Sequence, residues 1–392
     1  MSEIFDAIYC GNFEGVKRVV NRDPQCLHIK NFLQLSPLDV AIQYGNLEIV
    51  KFLWEIDGRP DLEKYHNKKC TPAHDAVQWG HTAILKWIFA ENVLPLSMLN
   101  AQNACCQTPL DVAIENGRLE MMQYLWDMGG QPNLEIYRDG EQTPVHRAAC
   151  YGCIVTLVWV FTGGILPLHV LNIKDEVQWT PFDVAIAHGK LDTVQFLFEM
   201  GGRPNLDIYN RDRILTPVHC AARHGYTVTL KWVFTKNVLS LDVLNAQNAC
   251  CQTPLDDAIA WGKLEMVQYL WKKGGRPNLE NYRDGKNTPV HRAALRGYIT
   301  TLEWVFTENV LSLDVLNSKN NDKRTPLDCA IDRKCQKTTN LLRRLMYVDP
   351  VFLALQRAKR DQNSLLRRLP NELLDMVVEE VAARFDFVVE WC

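Results

Sequence analysis

The stretch TPVHRAACYG at residues 143–152 decides the fold, because it carries the signals for both ends of one short helix. Thr143 is a residue type that caps helix N-termini, and Pro144 suits the first helical position, where no backbone N–H partner is needed. Gly152 supplies the positive φ at which helices commonly end. Near copies begin at residues 71, 216 and 288. A short helix with defined ends therefore recurs along the chain.

A second version of this unit alternates with the first. It has the form T-P-L-D-V-A-I, begins at residues 36, 108, 180 and 253, and has a degenerate copy at 325. We call the two versions His-type and Asp-type repeats, after the residue that follows T-P-x. Successive units are 35 to 37 residues apart, so the copied element is a double unit of 72 or 73 residues. The identical stretches LNAQNACCQTPLD at 99–111 and 244–256 lie where a His-type repeat passes into an Asp-type repeat.

A second helix follows the first in each unit. In RLEMMQYLWDMGG at 118–130, Met122, Leu125 and Trp126 recur at helical spacing before the glycine pair that ends the segment. One such helix pair cannot bury its apolar face alone, whereas stacked neighbours form a continuous core. The periodicity therefore predicts an all-α array of helix-turn-helix repeats.

The His-type stretches TPVHRAACYG, TPVHCAARHG and TPVHRAALRG resemble the T-P-L-H-x-A-A-x-x-G signature of ankyrin repeats. The resemblance implies an all-α ankyrin-repeat solenoid of about ten repeats with a short helical C-terminal tail. We therefore expect three regions. Residues 1–35 would be an N-terminal capping repeat without Thr-Pro, 36–345 the ankyrin repeats in alternating 35/37-residue pairs, and 346–392 a C-terminal helical segment.

The chain departs from the family pattern at three kinds of position. Asp stands where the family has His in the Asp-type repeats, at Asp39, Asp111, Asp183, Asp256 and Asp328. Tryptophan replaces a second-helix leucine at Trp54, Trp87, Trp126, Trp159, Trp232, Trp271 and Trp304, and its helical spacing favours a core role over a platform for nucleic-acid bases. Lys334 stands where the other Thr/Ser-Pro units have glycine, as expected of a terminal repeat.

Composition excludes several classes of partner and compartment. The 43 Lys and Arg residues are balanced by 46 Asp and Glu, a formal net charge of −3, so we expect no nucleic-acid binding. No apolar run is long enough for a membrane helix, and no signal peptide is visible. The 13 scattered cysteines fit a reducing compartment. We therefore expect a soluble monomer in the cytoplasm, with the nucleus as the alternative.

The recurring histidines His74, His146, His219 and His291 are the first candidates for metal or acid-base chemistry. They lie two repeats apart, at roughly 10 Å per helix-pair layer. Because Zn–N bonds measure about 2.0–2.1 Å, neighbouring histidines cannot share a zinc ion. The ankyrin resemblance implies instead that each histidine bonds to the backbone of an adjacent loop.

The cysteine motifs are the second candidates. Cys150-Tyr-Gly-Cys153 has no second C-x-x-C to complete a zinc site and does not follow a strand. The pairs Cys105–Cys106 and Cys250–Cys251 lie in inter-repeat loops 145 residues apart, so they cannot form one site. No nucleophile elbow or H-E-x-x-H motif is present. We therefore expect no enzyme activity, no catalytic or metal-binding residue and no cofactor.

The family resemblance implies a binding surface on the concave face, lined by first helices and loop tips. Its exposed positions are the two residues before each helix-ending glycine and the residue after T-P-x-H. These positions differ from copy to copy while the framework repeats, and several carry the aromatic and arginine residues that dominate interface energies. Drift at exposed positions is the alternative explanation. We predict that a client protein, unidentified by the sequence, contacts Tyr44, Asp75, Trp79, Asn116, Arg147, Tyr151, His188, Arg223, His224, Trp261, Arg292 and Arg296.

The repeat period stops after Leu345, and a different pattern follows. The stretch RRLPNELLDMVVEEV at 367–381 resembles the L-P-x-E-L-L-x-x-I opening of an F-box, which docks on the small adaptor of cullin–RING ubiquitin ligases. It is shorter than a full F-box and resembles the truncated segments that follow ankyrin arrays in poxviral and symbiont proteins. The resemblance implies adaptor contacts at Leu369, Pro370, Leu373, Leu374, Val377 and Val378.

Two other interpretations of this tail remain open. It could be a helical cap over the last apolar face of the array, or a docking helix for another partner. The leading hypothesis is a non-enzymatic adaptor that holds a client and recruits a ubiquitin ligase; the alternative is a plain ankyrin scaffold whose C-terminal helices only cap the array.

Overall fold

The computed structural model describes residues 3–33, 35–56, 70–209, 214–282 and 286–347. These residues form helices, turns and loops, and none of them lies in a β-strand. The α-helices are α1 (Glu3–Tyr9), α2 (Phe13–Arg22), α3 (Pro37–Gln43), α4 (Leu47–Ile56), α5 (Pro72–Trp79), α6 (Thr82–Ala90), α7 (Pro109–Glu115), α8 (Leu119–Asp127), α9 (Pro144–Tyr151), α10 (Ile154–Thr162), α11 (Pro181–Ala187), α12 (Leu191–Glu199), α13 (Leu206–Tyr209), α14 (Pro217–His224), α15 (Thr227–Thr235), α16 (Pro254–Ala260), α17 (Leu264–Lys272), α18 (Pro289–Arg296), α19 (Ile299–Thr307), α20 (Pro326–Asp332) and α21 (Gln336–Tyr347). Short 3-10 helices lie at Pro24–His28, Leu96–Asn100, Leu134–Ile136, Leu168–Asn172, Leu241–Asn245, Leu279–Tyr282 and Leu313–Asn317.

The α-helices form ten pairs over the described residues, with only the short α13 unpaired. The first pair, α1 and α2, is the one without Thr-Pro, and its capping role stays a prediction. The nine following pairs begin at the Thr/Ser-Pro positions. The predicted C-terminal segment, 346–392, lies outside the described residues apart from the end of α21.

The chain divides into two compact units. The first comprises the described residues up to Asn205 except Ile186–Gly189; the second comprises Ile186–Gly189 and the described residues from Leu206 onward. In the first unit, α3 packs between α1 and α5, and α7 between α5 and α9. In the second unit, α16 packs between α14 and α18, and α18 also contacts α20. Each unit is therefore built from helix pairs that pack on the pairs before and after them.

A capping box starts the first helix in both types of repeat. In α7, the Thr108 hydroxyl accepts from the Asp111 N–H at 3.3 Å, and the Asp111 carboxylate accepts from the Thr108 N–H at 2.9 Å. In α9, the imidazole Nδ1 of His146 replaces that carboxylate and accepts from the Thr143 N–H at 3.2 Å. Both side chains satisfy backbone groups that the helix itself leaves unpaired.

The tryptophans of the second helices do not form the core that their spacing predicts. Trp54 is buried, but the other six are half-buried. Trp126 and Trp159, in successive repeats, instead pack edge to face with ring centroids 6.4 Å apart. Because the first helices cover only one side of each second helix, the other side stays open to solvent.

Side chains of one repeat cover the helix-ending glycine of the repeat before it. A Cβ atom added to Gly262 would lie 2.3 Å from the ring of Tyr298, and one added to Gly225 would lie 3.0 Å from the stem of Lys263. Different residues cover the glycines of the two types of repeat. His81, Cys153, Tyr226 and Tyr298 cover Asp-type glycines, and Arg118, Lys190 and Lys263 cover His-type glycines.

The side chains that cover the helix-ending glycine lie farther away toward the end of the described array. A Cβ atom on Gly297 would meet its nearest neighbour, Thr338, at 3.6 Å, an ordinary contact distance. In the next repeat Lys334 takes the glycine position with φ of 56° and is exposed over the part of the chain that the structure describes. That this repeat is terminal stays a prediction.

The covered glycine gives a test by alanine substitution. Gly262 and Gly297 both have positive φ, 68° and 76°, so an alanine at either costs about 1–2 kcal/mol. Only Gly262→Ala also forces Tyr298 to move, and overpacking of this kind costs roughly 1–3 kcal/mol more. We expect urea unfolding to show the larger loss for Gly262→Ala. Equal losses would contradict a packing constraint at this glycine.

Candidate protein-binding surface

The histidines of the His-type repeats are bonded inside the stack. Nε2 lies 2.9 Å from the Gln107 carbonyl oxygen in His74 and 3.0 Å from the Gln252 carbonyl oxygen in His219. His146 and His291 make the same bond to the equivalent loop, and all four rings are buried. A carbonyl oxygen only accepts, so Nε2 carries the proton while Nδ1 faces the threonine cap. The predicted structural role of these histidines is confirmed.

Burial keeps the rings of His74, His146 and His219 neutral. Loss of solvation lowers the pKa of His74 and of His219 to about 4, although hydrogen bonds to backbone carbonyls act in the opposite direction. Burial lowers the pKa of His146 as well. At neutral pH these three rings are therefore uncharged donors to the loop of the next repeat.

Aspartate at the same helical position reverses the direction of this bond. Asp256 Oδ2 accepts from the Asn278 N–H at 3.0 Å, and its Oδ1 accepts from the Tyr282 hydroxyl at 2.6 Å. Asp111 makes the same two contacts, with Asn133 and Tyr137. Burial raises the pKa of Asp256 to about 6, against the lowering effect of these hydrogen bonds. Histidine in this position donates a hydrogen bond to the following loop. Where aspartate replaces it, the side chain accepts hydrogen bonds from that loop instead.

The twelve residues predicted to bind a client all lie in a first helix or at its C-terminal end. We call them the first-helix surface. Half of them are exposed, namely Tyr44, Trp79, Tyr151, His188, His224 and Arg296. The other half are half-buried, namely Asp75, Asn116, Arg147, Arg223, Trp261 and Arg292. None belongs to the core, and their role in binding stays a prediction.

In the first unit this surface is mainly aromatic. Tyr44, Trp79 and Tyr151 are exposed at equivalent positions of three repeats, and the Tyr44 ring lies 5.0 Å from that of Tyr9. Arg147 is half-buried because it pairs with Glu115, which also accepts from Gln107 at 2.6 Å. Burial, and then the charge of Asp39, raises the pKa of Asp75 to about 7. The exposed part of this face therefore carries rings rather than a dense charge.

In the second unit the surface is built from arginines around one tryptophan. The guanidinium carbon of Arg296 lies 4.0 Å from the centroid of Trp261, and that of Arg223 lies 5.8 Å from it. Arg223 also donates to Asp257 at 3.1 Å. Arg292 donates to the Gln252 side chain at 3.5 Å.

Sequence reasoning missed Asp257, although this carboxylate is fully buried and holds Arg223. Burial raises its pKa, and the charges of Arg223 and Arg292 oppose that shift. The available signal was the second aspartate of TPLDDA, where three other Asp-type repeats have valine. A buried charge in an apolar column indicates a paired partner nearby.

Comparison with protein families decides what the array is. A model of ankyrin repeats in three copies matches residues 4–97 and 185–281, and a model of ankyrin repeats in many copies matches 73–125, together more than half of the chain. The chain belongs to the ankyrin-repeat family. The predicted fold class, an all-α ankyrin-repeat solenoid, is confirmed, and such repeats make the chain a scaffold for protein–protein interaction.

Several curated proteins contain a similar ankyrin array. The chain is 26% identical over 211 residues to transient receptor potential cation channel subfamily A member 1 of Homo sapiens, covering 53% of this chain and 18% of the channel. It is 27% identical over 192 residues to the probable 26S proteasome regulatory subunit p28 of Saccharomyces cerevisiae, covering 48% of this chain and 81% of p28. It is 30% identical over 150 residues to a putative ankyrin repeat protein of Fowlpox virus, covering 38% and 32%. The match thus spans less than a fifth of the human channel.

The duplicated cysteines occupy a turn between ankyrin repeats. The Asn103 N–H donates to the Gln107 oxygen and the Cys106 N–H to the Asn103 oxygen, both at 2.9 Å, and Cys106 has φ of 58°. Gln178 and Lys323 take the same left-handed position in other repeats. The turn accepts different side chains, so the cysteine pair is a mark of copying in the array.

The other cysteine motif has no activated thiol. Burial raises the pKa of Cys150 and of Cys153, which disfavours the thiolate that redox or metal chemistry needs. Within the described ranges of the ankyrin array, no three His, Cys, Asp or Glu side chains are grouped to hold a metal ion. None of the described helices has both the length and the apolarity that a membrane crossing requires.

The buried histidines make the stability of the array depend on pH. His219 has a pKa of about 4 when folded against about 6.5 when unfolded, so the unfolded chain binds more protons between these values. The contribution of His219 to the free energy of unfolding is fully present above its pKa in the unfolded chain. It is lost as the pH falls toward its pKa in the folded chain. Glutamine in the same place can donate to the Gln252 carbonyl but does not titrate.

We expect the free energy of unfolding of the wild type to fall relative to His219→Gln by about 2 kcal/mol between pH 7 and pH 5. Urea unfolding of both proteins at the two pH values measures this difference. A difference that does not change with pH would show that His219 does not titrate with unfolding.

Proposed function

We propose that this ankyrin-repeat scaffold is a non-enzymatic adaptor. Its first-helix surface would hold a client protein, and its segment 346–392 would recruit a cullin–RING ubiquitin ligase. Ubiquitin transfer to the client would then follow from proximity rather than from chemistry on this chain. The array residues 36–345, capped by 1–35, and the C-terminal segment would act as separate parts.

One observation carries the client-binding part. The fifth residue of each first helix in the nine Thr/Ser-Pro repeats is alanine, fully buried in all of them. The residue just before the helix-ending glycine varies along the array, although His188 and His224 are alike, and it is exposed or half-buried, as in Trp79, Tyr151 and Trp261. A framework that repeats while its exposed end varies is what selection for a specific partner produces.

The ligase part is supported by the sequence of the tail and by a relative. The L-P-x-E-L-L pattern from Leu369 resembles the helix with which F-boxes dock on their adaptor. Yeast p28, which is similar to this chain, is by name a probable regulatory subunit of the 26S proteasome. Both observations favour a role for the chain in targeted degradation.

A second candidate is a plain scaffold whose tail caps the array. Ile331 in the last described repeat is 44% exposed, whereas Ile114, Ile186 and Ile259 at the same position of other Asp-type repeats are fully buried. An apolar side chain left open here favours a covering segment, and 346–392 follows it directly in sequence.

Site-specific cross-linking tests the client-binding part. Tyr151 on α9 and Val155 on α10 are almost equally exposed, 62% and 61%, in the same repeat. With a photo-reactive amino acid at either position, we expect a client to cross-link several-fold more at 151 than at 155. Mass spectrometry of the products measures the yields. Equal yields would contradict binding on the first-helix surface.

Calorimetry with a purified cullin–RING adaptor subunit tests the ligase part. We expect the full-length chain to bind the adaptor, and Leu369→Ala combined with Leu373→Ala to weaken binding at least about tenfold, or about 1.4 kcal/mol. The urea midpoint should stay unchanged. If the wild type shows no binding and the double variant instead lowers the midpoint, the tail caps the array.

A further inference from the structure

We infer that the second compact unit binds an acidic segment of the client protein through a cluster of Arg223, Trp261, Arg292 and Arg296, which we call the arginine–tryptophan cluster. The inference rests on the proposed client binding and adds the chemistry of the partner. Its occupant is an extended peptide segment that carries several aspartate or glutamate side chains.

The geometry of the cluster comes from three neighbouring repeats. Trp261 caps α16, which packs between α14, the helix of Arg223, and α18, the helix of Arg296. One guanidinium therefore approaches the indole from each neighbouring repeat, with the guanidinium carbons 5.8 and 4.0 Å from its centroid. Both distances lie within the range of cation–π attraction. A guanidinium stacked on a ring keeps its N–H edge free for a partner.

The charges of the cluster are not balanced. Asp257 is its carboxylate, is fully buried, and accepts from Arg223 and from the Asn248 side chain, both at 3.1 Å. The hydrogen bonds made by the other two arginines go to neutral oxygens. Arg292 donates to the Gln252 side chain and Arg296 to the Ala260 carbonyl at 3.3 Å. Over the described residues the cluster thus has three guanidiniums and one carboxylate, an excess of two positive charges.

A polar cleft of about 200 Å³ continues this surface past Arg292. Besides Arg292 it is lined by Cys250, Gln252, Asn281, Lys286, Asn287 and Asn321. Among the described residues, this lining has two cations and no carboxylate. Side-chain amides both donate and accept, which suits the N–H and C=O groups of an extended backbone. The cleft therefore offers cations for acidic side chains and amides for the chain that carries them.

The same features favour a peptide over a nucleic acid. Single-stranded nucleic acids bind by stacking bases on free aromatic faces along a basic groove. Here the neighbours of Trp261 on both sides are arginines, and the whole chain has a formal net charge of −3. Guanidinium forks match the two oxygens of a carboxylate. Because the arginines are already held by the indole and by neighbouring oxygens, little side-chain freedom is lost on binding.

Fluorescence polarisation on the full-length chain tests the inference. The probe is a labelled eight-residue peptide that alternates glycine and glutamate, and its matched control replaces every glutamate with glutamine. We expect the glutamate peptide to bind at least tenfold more tightly, and its affinity to fall as salt is raised. A single-stranded oligonucleotide of equal charge should bind more weakly than the peptide. The reverse order, or equal binding of the glutamine peptide, would overturn the inference.

Matched arginine variants separate the cluster from general charge. Arg292→Gln combined with Arg296→Gln should weaken glutamate-peptide binding at least tenfold. The control is Arg203→Gln combined with Arg276→Gln, which removes the same charge from arginines that stack on Phe198 and Trp271 outside the first-helix surface. We expect this control to change binding less than twofold, and equal losses would refute the cluster. Circular dichroism checks folding, and Arg292→Lys with Arg296→Lys, which keeps the charge, should retain part of the affinity.

The outcome is separable from that of the proposed function. If client cross-linking at position 151 persists while no acidic peptide binds, the client-binding proposal stands and the acidic-segment inference fails. If positions 151 and 155 cross-link equally, client binding on this surface fails, whatever the peptide result.

Discussion

The close approach of neighbouring first helices is the constraint on which the rest of the structure depends. Buried alanines such as Ala113 and Ala148 let these helices pack directly, and Gly262 leaves room for Tyr298 of the next repeat. Because each helix pair buries its apolar face only against its neighbours, these positions have little freedom to change. The exposed ends of the same helices have more freedom, as Tyr44, Trp79 and Asn116 show.

The hydrogen bonds between helices and loops extend this constraint to the loop tips. His219 donates to the following loop, whereas Asp256 accepts from it, and both side chains are fully buried. A buried polar group that loses its partner costs more than the bond contributes, so these bonds hold the loop residues Gln252 and Asn278 in place. Gln252 in turn accepts from Arg292 and lines the polar cleft beside it.

Much of the fold follows from local sequence signals, and the details of the surface do not. Thr143 and Gly152 delimit α9 as their residue types predict, because caps and left-handed stops are local preferences. The pairing of Arg223 with Asp257, 34 residues later, depends on which side chains of adjacent repeats face each other. The half-buried tryptophans show the same limit, since helical spacing gives the face of a helix but not what covers it. The predicted adaptor contacts from Leu369 to Val378 lie outside the described residues.

The residues that cover the helix-ending glycines differ between the two types of repeat, and this difference limits how the array can gain or lose repeats. An Asp-type repeat is covered by His81, Cys153 or a tyrosine, and a His-type repeat by Arg118 or a lysine. Duplication or loss of a whole double unit recreates only junctions that the protein already contains. Loss of a single repeat would join two repeats of the same type. Recombination can therefore lengthen or shorten the first-helix surface in steps of 72 or 73 residues while the two types of repeat still alternate.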